Sequence, residues 1–399
     1  MVQILAPDGT LASNEHAEEY LPYFQQLTDD HIQRFFRDMA LSRRIDTEAT
    51  NLQRQGQLAI WIPNHGQEAA QVGSAHAARP QDHIFPAYRE HAVGMVRGLD
   101  PLDLIRLLRG ITHGGWNPND PSMRNFHLYT LVIGSQSLHA TGYAMGIKFD
   151  GAYATGNYEN DQAVIVYFGD GATSQGDVHE AMVFAASQQT PQVFFIQNNH
   201  WAISVPVSVQ SRVPLYRRAG GYGMPGVQID GNDIFASYAV TAKLMDAARA
   251  GQGPALIEAH TYRIGAHTSS DDPTKYREDS ELESWVERDP IVRLEAYMRD
   301  KGVEQAFFDA VHQEAADYAS DLRHRAVTTP NPEASSMFAH VYADPHPLMD
   351  EQSAWLAAYE ASFGEDGDAG DAGDAGDAPG ANAVPEPTPA GTPDGGESA

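Results

Sequence analysis

The strongest chemical signal in this 399-residue chain lies at the ends of two apolar runs. Residues 163–168 (AVIVYF) read as a buried strand, and Gly169-Asp170-Gly171 closes it with a tight turn carrying one carboxylate. Residues 193–196 (VFFI) read as a second strand, and it closes in Asn198-Asn199. Between them Val178, Ala181, Met182, Ala185 and Ala186 recur at helical spacing. Strand, helix and strand make two neighbouring parallel strands, so Asp170 and the asparagine pair share one sheet edge. That edge, outside the carboxyl ends of parallel strands, is where α/β folds bind ligands. A carboxylate, an amide oxygen and a backbone carbonyl form a hard, oxygen-only cradle. It suits Mg²⁺, which keeps waters and takes the rest of its shell from ligand phosphates. The implied ligand is a diphosphate bridged to protein by a divalent metal. The plainer reading of Gly-Asp-Gly alone is a strand-ending turn.

The spacing and its filling go further. From Ala172 to Gln197, 26 residues separate GDG from Asn198-Asn199, which resembles the thiamine diphosphate signature. The words GDGATSQGDVHEA and QNNHWAIS resemble the alpha subunit of the decarboxylating first component of 2-oxo acid dehydrogenase complexes. The resemblance spans roughly residues 30 to 360. It implies an α/β fold: a single thiamine-diphosphate-binding domain with a mostly parallel sheet flanked by helices, plus a helical C-terminal region. It also implies thiamine diphosphate and Mg²⁺ as cofactors. By the same match the metal is held by Asp170, Asn199 and the carbonyl of Trp201. The cofactor contacts are Tyr88, Arg89, Gly169, Asp170, Gly171, Ala172, Asn199, Trp201 and Arg263, with Gly134, Ser135 and Ser137 at the pyrimidine ring. His267 lies beside the diphosphate and the reacting carbon and is the catalytic candidate, while Arg263 anchors its loop. An arginine fork such as Arg89 fits phosphate oxygens bidentately. His113 is a loop histidine more often a bystander than a catalyst, and His139 is assigned no role.

Composition bounds the rest. The formal net charge is −28, and only four lysines occur (Lys148, Lys243, Lys275, Lys301). Acidic excess with scarce lysine is the pattern of a protein adapted to a salt-rich cytoplasm, where salt screens self-repulsion. Such a surface repels nucleic-acid phosphates. No run of 18 apolar residues occurs, and the first 20 residues lack a basic segment followed by an apolar one. Neither a membrane span nor a secretory signal is therefore expected, and the expected location is cytoplasmic. With no cysteine, disulfides and thiolate chemistry are excluded.

The elements that must position these groups follow in order. Residues 1–28 read as an N-terminal arm with a turn at Pro7-Asp8-Gly9. A helix starts at Asp29-Asp30, striped by Ile32, Phe35, Phe36, Met39, Ala40 and Ile45, and stops near Gly56. A small-residue helix over 66–78 and a short strand over 83–86 deliver Tyr88-Arg89. A helix covers 103–109, and 111–129 is loop-like. A short strand over 130–133 leads into Gly134-Ser135 and another small-residue helix. Strands are expected over 227–230 and 256–259, with Asn232-Asp233 capping a helix between them that runs to 250. The segment HTYRIGAHTSSDDPTKYRED resembles the mobile active-site loop of the family. Thr268, Ser269 and Ser270 make phosphorylation there chemically feasible. Residues 280–361 read as amphipathic helices. The stretch 363–399, with its GDAGDAGDA repeat, buries nothing and is expected to be a disordered tail beyond a domain over 29–362.

The chain has one diphosphate-type domain and no length for a second. In the family the activating glutamate comes from a separate beta subunit. The resemblance therefore implies a site at a subunit interface, an assembly of two alpha and two beta chains, and a lipoyl acyltransferase that receives the acyl group from a small 2-oxo acid. Gln197 stands where animal branched-chain relatives carry an arginine to the phosphate. Pyruvate ranks ahead of branched-chain 2-oxo acids, then an acetoin-cleaving relative, then a non-catalytic scaffold.

Overall fold

The computed structural model describes residues 1–111 and 115–363. The expectations for His113 and for the tail from 364 onward lie outside the described residues. The chain divides into two compact units, Met1–Asn331 and a second from Pro332 onward.

The first unit is built on five parallel strands: β1 (His83–Phe85), β2 (Val164–Gly169), β3 (Gln192–Asn198), β6 (Gly226–Asp230) and β7 (Ala255–His260), in the order β1-β2-β3-β7-β6. A two-stranded antiparallel hairpin, β4 (Trp201–Ala202) and β5 (Val205–Pro206), follows β3. The helices are α1 (Leu21–Phe24), α2 (Asp29–Arg54), α3 (Glu68–Ala77), α4 (His91–Arg97), α5 (Pro101–Arg109), α6 (Gln136–Phe149), α7 (Gly176–Gln188), α8 (Val207–Gln210), α9 (Arg218–Tyr222), α10 (Ile234–Ala247), α11 (Asp279–Val286), α12 (Pro290–Asp300) and α13 (Gln305–Thr328).

Alternation along the strands sorts the core into two layers. Ile165, Tyr167, Val193, Phe195, Ile229 and Ile257 face one way, into a cluster with Phe35, Phe36 and Met39 of α2 and Val72 of α3. Val164, Val166, Phe168, Phe194, Ile196 and Leu256 face the other way, among Ala140 and Ala144 of α6 and Val178 and Met182 of α7. Both faces of β2 and β3 are covered, which is why these strands read as continuous apolar runs.

Helix starts follow their caps. The Thr28 hydroxyl accepts from the His31 amide at 3.4 Å, with Asp29 and Asp30 in the first turn of α2. Asp233 caps α10 by accepting from the Phe235 and Ala236 amides at 2.9 and 3.1 Å. Its other oxygen accepts from the amides of Ile4 and Leu5 at 2.6 and 2.7 Å. One carboxylate thus ties the chain's first residues to a helix start, and Val2 bridges Ile229 in parallel at the outer edge of β6.

One expected strand is absent. Residues 130–133 form no strand, and Leu131 and Val132 are 60% and 72% exposed. The apolar run found no sheet position. Past Ala247 the helix of α10 relaxes into a wide turn, Ala248–Gln252. In the second unit, α14 (Pro347–Ala361) contains no buried residue, and Trp355 stacks on Tyr359 with ring centroids 5.3 Å apart.

Candidate cofactor site at the carboxyl edge of the sheet

β2 and β3 pair in parallel with Gly169 opposite Gln197, so Asp170 and Asn199 leave adjacent strand ends together. Between them and the segments after β1 and β7 lies a cavity of about 250 Å³. Its wall includes Tyr88, Arg89, Gly134, Gly169, Asp170, Gly171, Ala172, Asn199, Trp201 and His267. Ser135, Ser137 and Arg263 lie off that wall. Ser135 turns its hydroxyl to the Val132 carbonyl at 3.0 Å, and Ser137 is fully buried. Gln67, Glu90 and Gln136 line the cavity but were not singled out in the sequence. A glutamine carries no motif weight, and only contact geometry finds it.

Two glycines permit the close approaches. Gly66 has φ +96°, and a Cβ there would meet the Tyr262 carbonyl oxygen at 2.4 Å. At Gly171 a Cβ would come within 2.7 Å of the Ala202 Cβ. His200 and Ile203, which flank β4, hold positive φ of 74° and 56°. For a β-branched residue that is an outlier of the kind that clusters at ligand sites.

Asp170 is 1% exposed, and burial pushes its carboxyl up to about 6. One of its oxygens accepts from Gln210 Nε2 at 3.2 Å. Among the described residues no group of three His, Cys, Asp or Glu side chains could hold a metal. A cation at Asp170 would complete its shell from the Asn199 amide, the Trp201 carbonyl and the ligand itself.

His267 is positioned by two guanidinium groups. Its Nδ1 lies 3.2 Å from an Arg89 nitrogen and 3.2 Å from an Arg263 nitrogen. Guanidinium only donates, so Nδ1 accepts and Nε2 carries the proton. Burial, then the two arginine charges, lower the imidazole to about 3. His267 is therefore a neutral donor through Nε2 across the working range of pH, not a base through Nδ1. Arg89 also donates to the Pro63 carbonyl at 2.5 Å and the His267 carbonyl at 3.1 Å.

Arg263 is wholly buried and acts as an anchor. It donates to the carbonyls of Trp201 and Ile203 at 3.1 and 3.0 Å and to the Tyr276 hydroxyl at 2.8 Å. Asp271 accepts from the His267 amide at 2.8 Å and from the Tyr276 hydroxyl at 2.5 Å. Arg277 donates to the carbonyls of Arg263 and Ile264 at 2.5 and 2.6 Å.

Gln197 does not face the ligand side freely. Its Nε2 donates to Glu90 at 2.5 Å, and its Oε1 accepts from Gln71 at 3.0 Å. Glu90 also accepts from the Ala87 amide at 2.7 Å, which folds the turn that presents Tyr88 and Arg89. Burial pushes the Glu90 carboxyl up to about 7.

Three buried polar atoms at or beside the cavity have no partner among the described residues: Gln67 Nε2, Gln136 Oε1 and Ser137 Oγ. Unpaired buried donors and acceptors are costly unless a ligand completes them. A molecule that carries both phosphate oxygens and an amino group fits that set. Fold and site together define an α/β protein with a cavity at the carboxyl edge of its parallel sheet. The chain belongs to the dehydrogenase E1 component family, whose pattern it matches over residues 37–335. It is 42% identical to the 3-methyl-2-oxobutanoate dehydrogenase subunit alpha of Mycobacterium tuberculosis (strain ATCC 25618 / H37Rv) over 359 residues, 90% of this chain and 93% of that protein. It is 35% identical to the pyruvate dehydrogenase E1 component subunit alpha of Staphylococcus aureus (strain N315) over 356 residues, 88% of this chain and 91% of that protein.

Proposed function

We propose that this chain is the alpha subunit of the decarboxylating component of a 2-oxo acid dehydrogenase complex, with pyruvate the first substrate to test. The observation that carries the reading is the joining of Asp170, Asn199, Arg89 and His267 in one cavity. A scaffold needs none of these groups. Thiamine diphosphate, when bound, supplies the electron sink for decarboxylation of the 2-oxo acid. Asp170, Asn199 and the Trp201 carbonyl would hold its Mg²⁺, and Arg89 would meet the diphosphate. His267 offers the Nε2 proton as a hydrogen bond to the diphosphate or to oxygen charge developing beside it. The loop from Arg263 to Arg277 brings His267 onto the cavity wall.

The assembly of two alpha and two beta chains is part of the proposal. Leu131, Val132, Ile203, Val205 and Val209 leave apolar side chains in solvent, from 41% to 74% exposed. Tyr143, Phe149, Val183 and Phe184 do the same on α6 and α7. Apolar surface on this scale marks an interaction site. The beta chain would complete the pocket, and a lipoyl acyltransferase would take the acyl group. No helix among the described residues is long and apolar enough to cross a membrane, and we place the protein in the cytoplasm of a salt-adapted cell.

A second reading, a branched-chain 2-oxo acid as substrate, is favoured by the higher identity to the Mycobacterium relative. The test is to co-express the chain with its partner, purify the pair in high salt, and titrate thiamine diphosphate with and without Mg²⁺ by quenching of tryptophan fluorescence. Trp201 on the cavity wall is the reporter. Turnover is then compared on pyruvate, 3-methyl-2-oxobutanoate and acetoin. Magnesium-dependent quenching with turnover of a 2-oxo acid supports the proposal, and its absence removes it.

A further inference from the structure

Gln67 is fully buried, lines the cavity, and sits at the residue before α3 without capping it. Its side chain therefore has no local structural task. Its Oε1 accepts from Asn199 Nδ2 at 3.2 Å. Its Nε2 has no partner among the described residues. This is a pair of amides in series, with one free donor at its head and one metal-facing candidate at its tail.

An amide side chain is nearly symmetric in shape, so an asparagine meant to offer oxygen to a cation needs something to set its orientation. Asn199 Oδ1 accepts a long bond from the Trp201 amide at 3.4 Å, and the shorter hold, at 3.2 Å, is on its nitrogen. The holder must be an acceptor, and Gln67 is an acceptor here only while its own nitrogen points elsewhere. An anion beside Gln67 Nε2 fixes that choice. We propose that Gln67 is a positioning residue that couples the two halves of the cofactor site. Its Nε2 donates to a diphosphate oxygen, and its Oε1 thereby holds Asn199 with Oδ1 toward the metal. The inference rests on the reading that a metal-bound diphosphate occupies this cavity, and it adds a residue and a linkage to that reading.

Two substitutions separate donor from acceptor. Gln67→Glu keeps an acceptor for Asn199 Nδ2 but loses the donor. Gln67→Met keeps the volume and loses both. The alpha chain co-purified with its partner is titrated with Mn²⁺, read by electron paramagnetic resonance, with and without thiamine diphosphate. Diphosphate affinity is read separately by calorimetry with inorganic pyrophosphate at fixed Mg²⁺. In the wild type each ligand tightens the other. The expected result is that Gln67→Glu binds Mn²⁺ alone within twofold of wild type but loses about tenfold in pyrophosphate affinity, whereas Gln67→Met loses on both and shows no mutual tightening. Wild-type coupling in either variant overturns the role of Gln67 while leaving the cofactor reading intact. A wild-type pair that binds neither pyrophosphate nor thiamine diphosphate overturns the cofactor reading itself. Should Gln67→Met fail to fold, Gln67→Glu alone decides, since its diphosphate affinity either falls or does not.

Discussion

The two sides of the cavity are held in place by different physics. The floor, with Asp170 and Asn199, is set by strand register: Gly169 opposite Gln197, flanked by Phe168 and Ile196 with almost no exposure. The roof, with His267, has only one short 3-10 turn, Pro273–Lys275, of its own. It is held by Arg263 on two carbonyls, by Arg277 on two more, and by Asp271 between Tyr276 and the His267 amide. A floor built by apolar packing moves only when the core moves. A roof built by side-chain bonds to loop carbonyls opens and closes at a cost of a few hydrogen bonds. The site is thus rigid where charge must be held and adjustable where a substrate must enter.

The first way to break this contrast is at the floor. Asp170→Ala removes the carboxylate at the ends of β2 and β3, and metal-dependent binding of thiamine diphosphate should weaken about 10³-fold, some 4 kcal/mol. Calorimetry of the co-purified pair checks it. The protein itself should be no less stable, because burial has raised the Asp170 carboxyl and its ionised form is a cost to the empty fold. A variant that binds cofactor normally would place the metal elsewhere.

The roof is probed next. His267→Ala should lower kcat about 10²-fold, the usual effect of losing one preorganised donor. His267→Gln restores a donor and should recover part of it. If a base were needed, glutamine would rescue nothing, so the pair of variants distinguishes donor from base. Arg277→Gln leaves the chemistry untouched and removes two charge-assisted bonds that hold the roof shut. At ~1 kcal/mol net each, the open population should rise about thirtyfold. Limited proteolysis within 264–277, with and without cofactor, reads that change directly.

How far these regions could be read in advance follows the same division. The floor was legible because β2 and β3 are buried on both faces and end in turn residues, so composition and spacing both point to the strand ends. Tyr88-Arg89 and His267 came from resemblance rather than periodicity, since neither stands in a regular element. The run 130–133 was misread as a strand because apolar composition reports burial without saying what does the burying, and here Leu131 and Val132 remain uncovered by their own chain. The N-terminal arm gave turn signals but no sign of its docking. Its anchor is the second oxygen of Asp233, a residue already accounted for as a helix cap. Gln67 was invisible for a related reason: one amide in a helix approach means nothing until Asn199 is beside it.

The smallest effect is also the sharpest test of the division between floor and roof, because below pH 6 the floor carboxyl of Asp170 still gains its proton, whereas Glu90, raised to about 7 beside Arg89, has already gained its own. Burial raises the Asp170 carboxyl to about 6, so below that value a proton competes with the cation for its oxygens. Its folded value lies above the ordinary carboxylate one of 3.8, so the penalty for burying the charge is absent below that value, grows as pH rises toward about 6, and is complete above it. Metal binding, which needs the charge, runs the opposite way. Apparent Mn²⁺ affinity should fall by up to about tenfold for each pH unit below 6 and level off above 7. His267 does not contribute, because burial and its two arginine neighbours keep it neutral down to about 3. Proteolytic protection of the roof should therefore stay flat below pH 6, where Glu90 is already protonated, while metal affinity changes. Parallel changes in both would mean that floor and roof titrate as one unit, and the separation of strand-held from loop-held groups would fail.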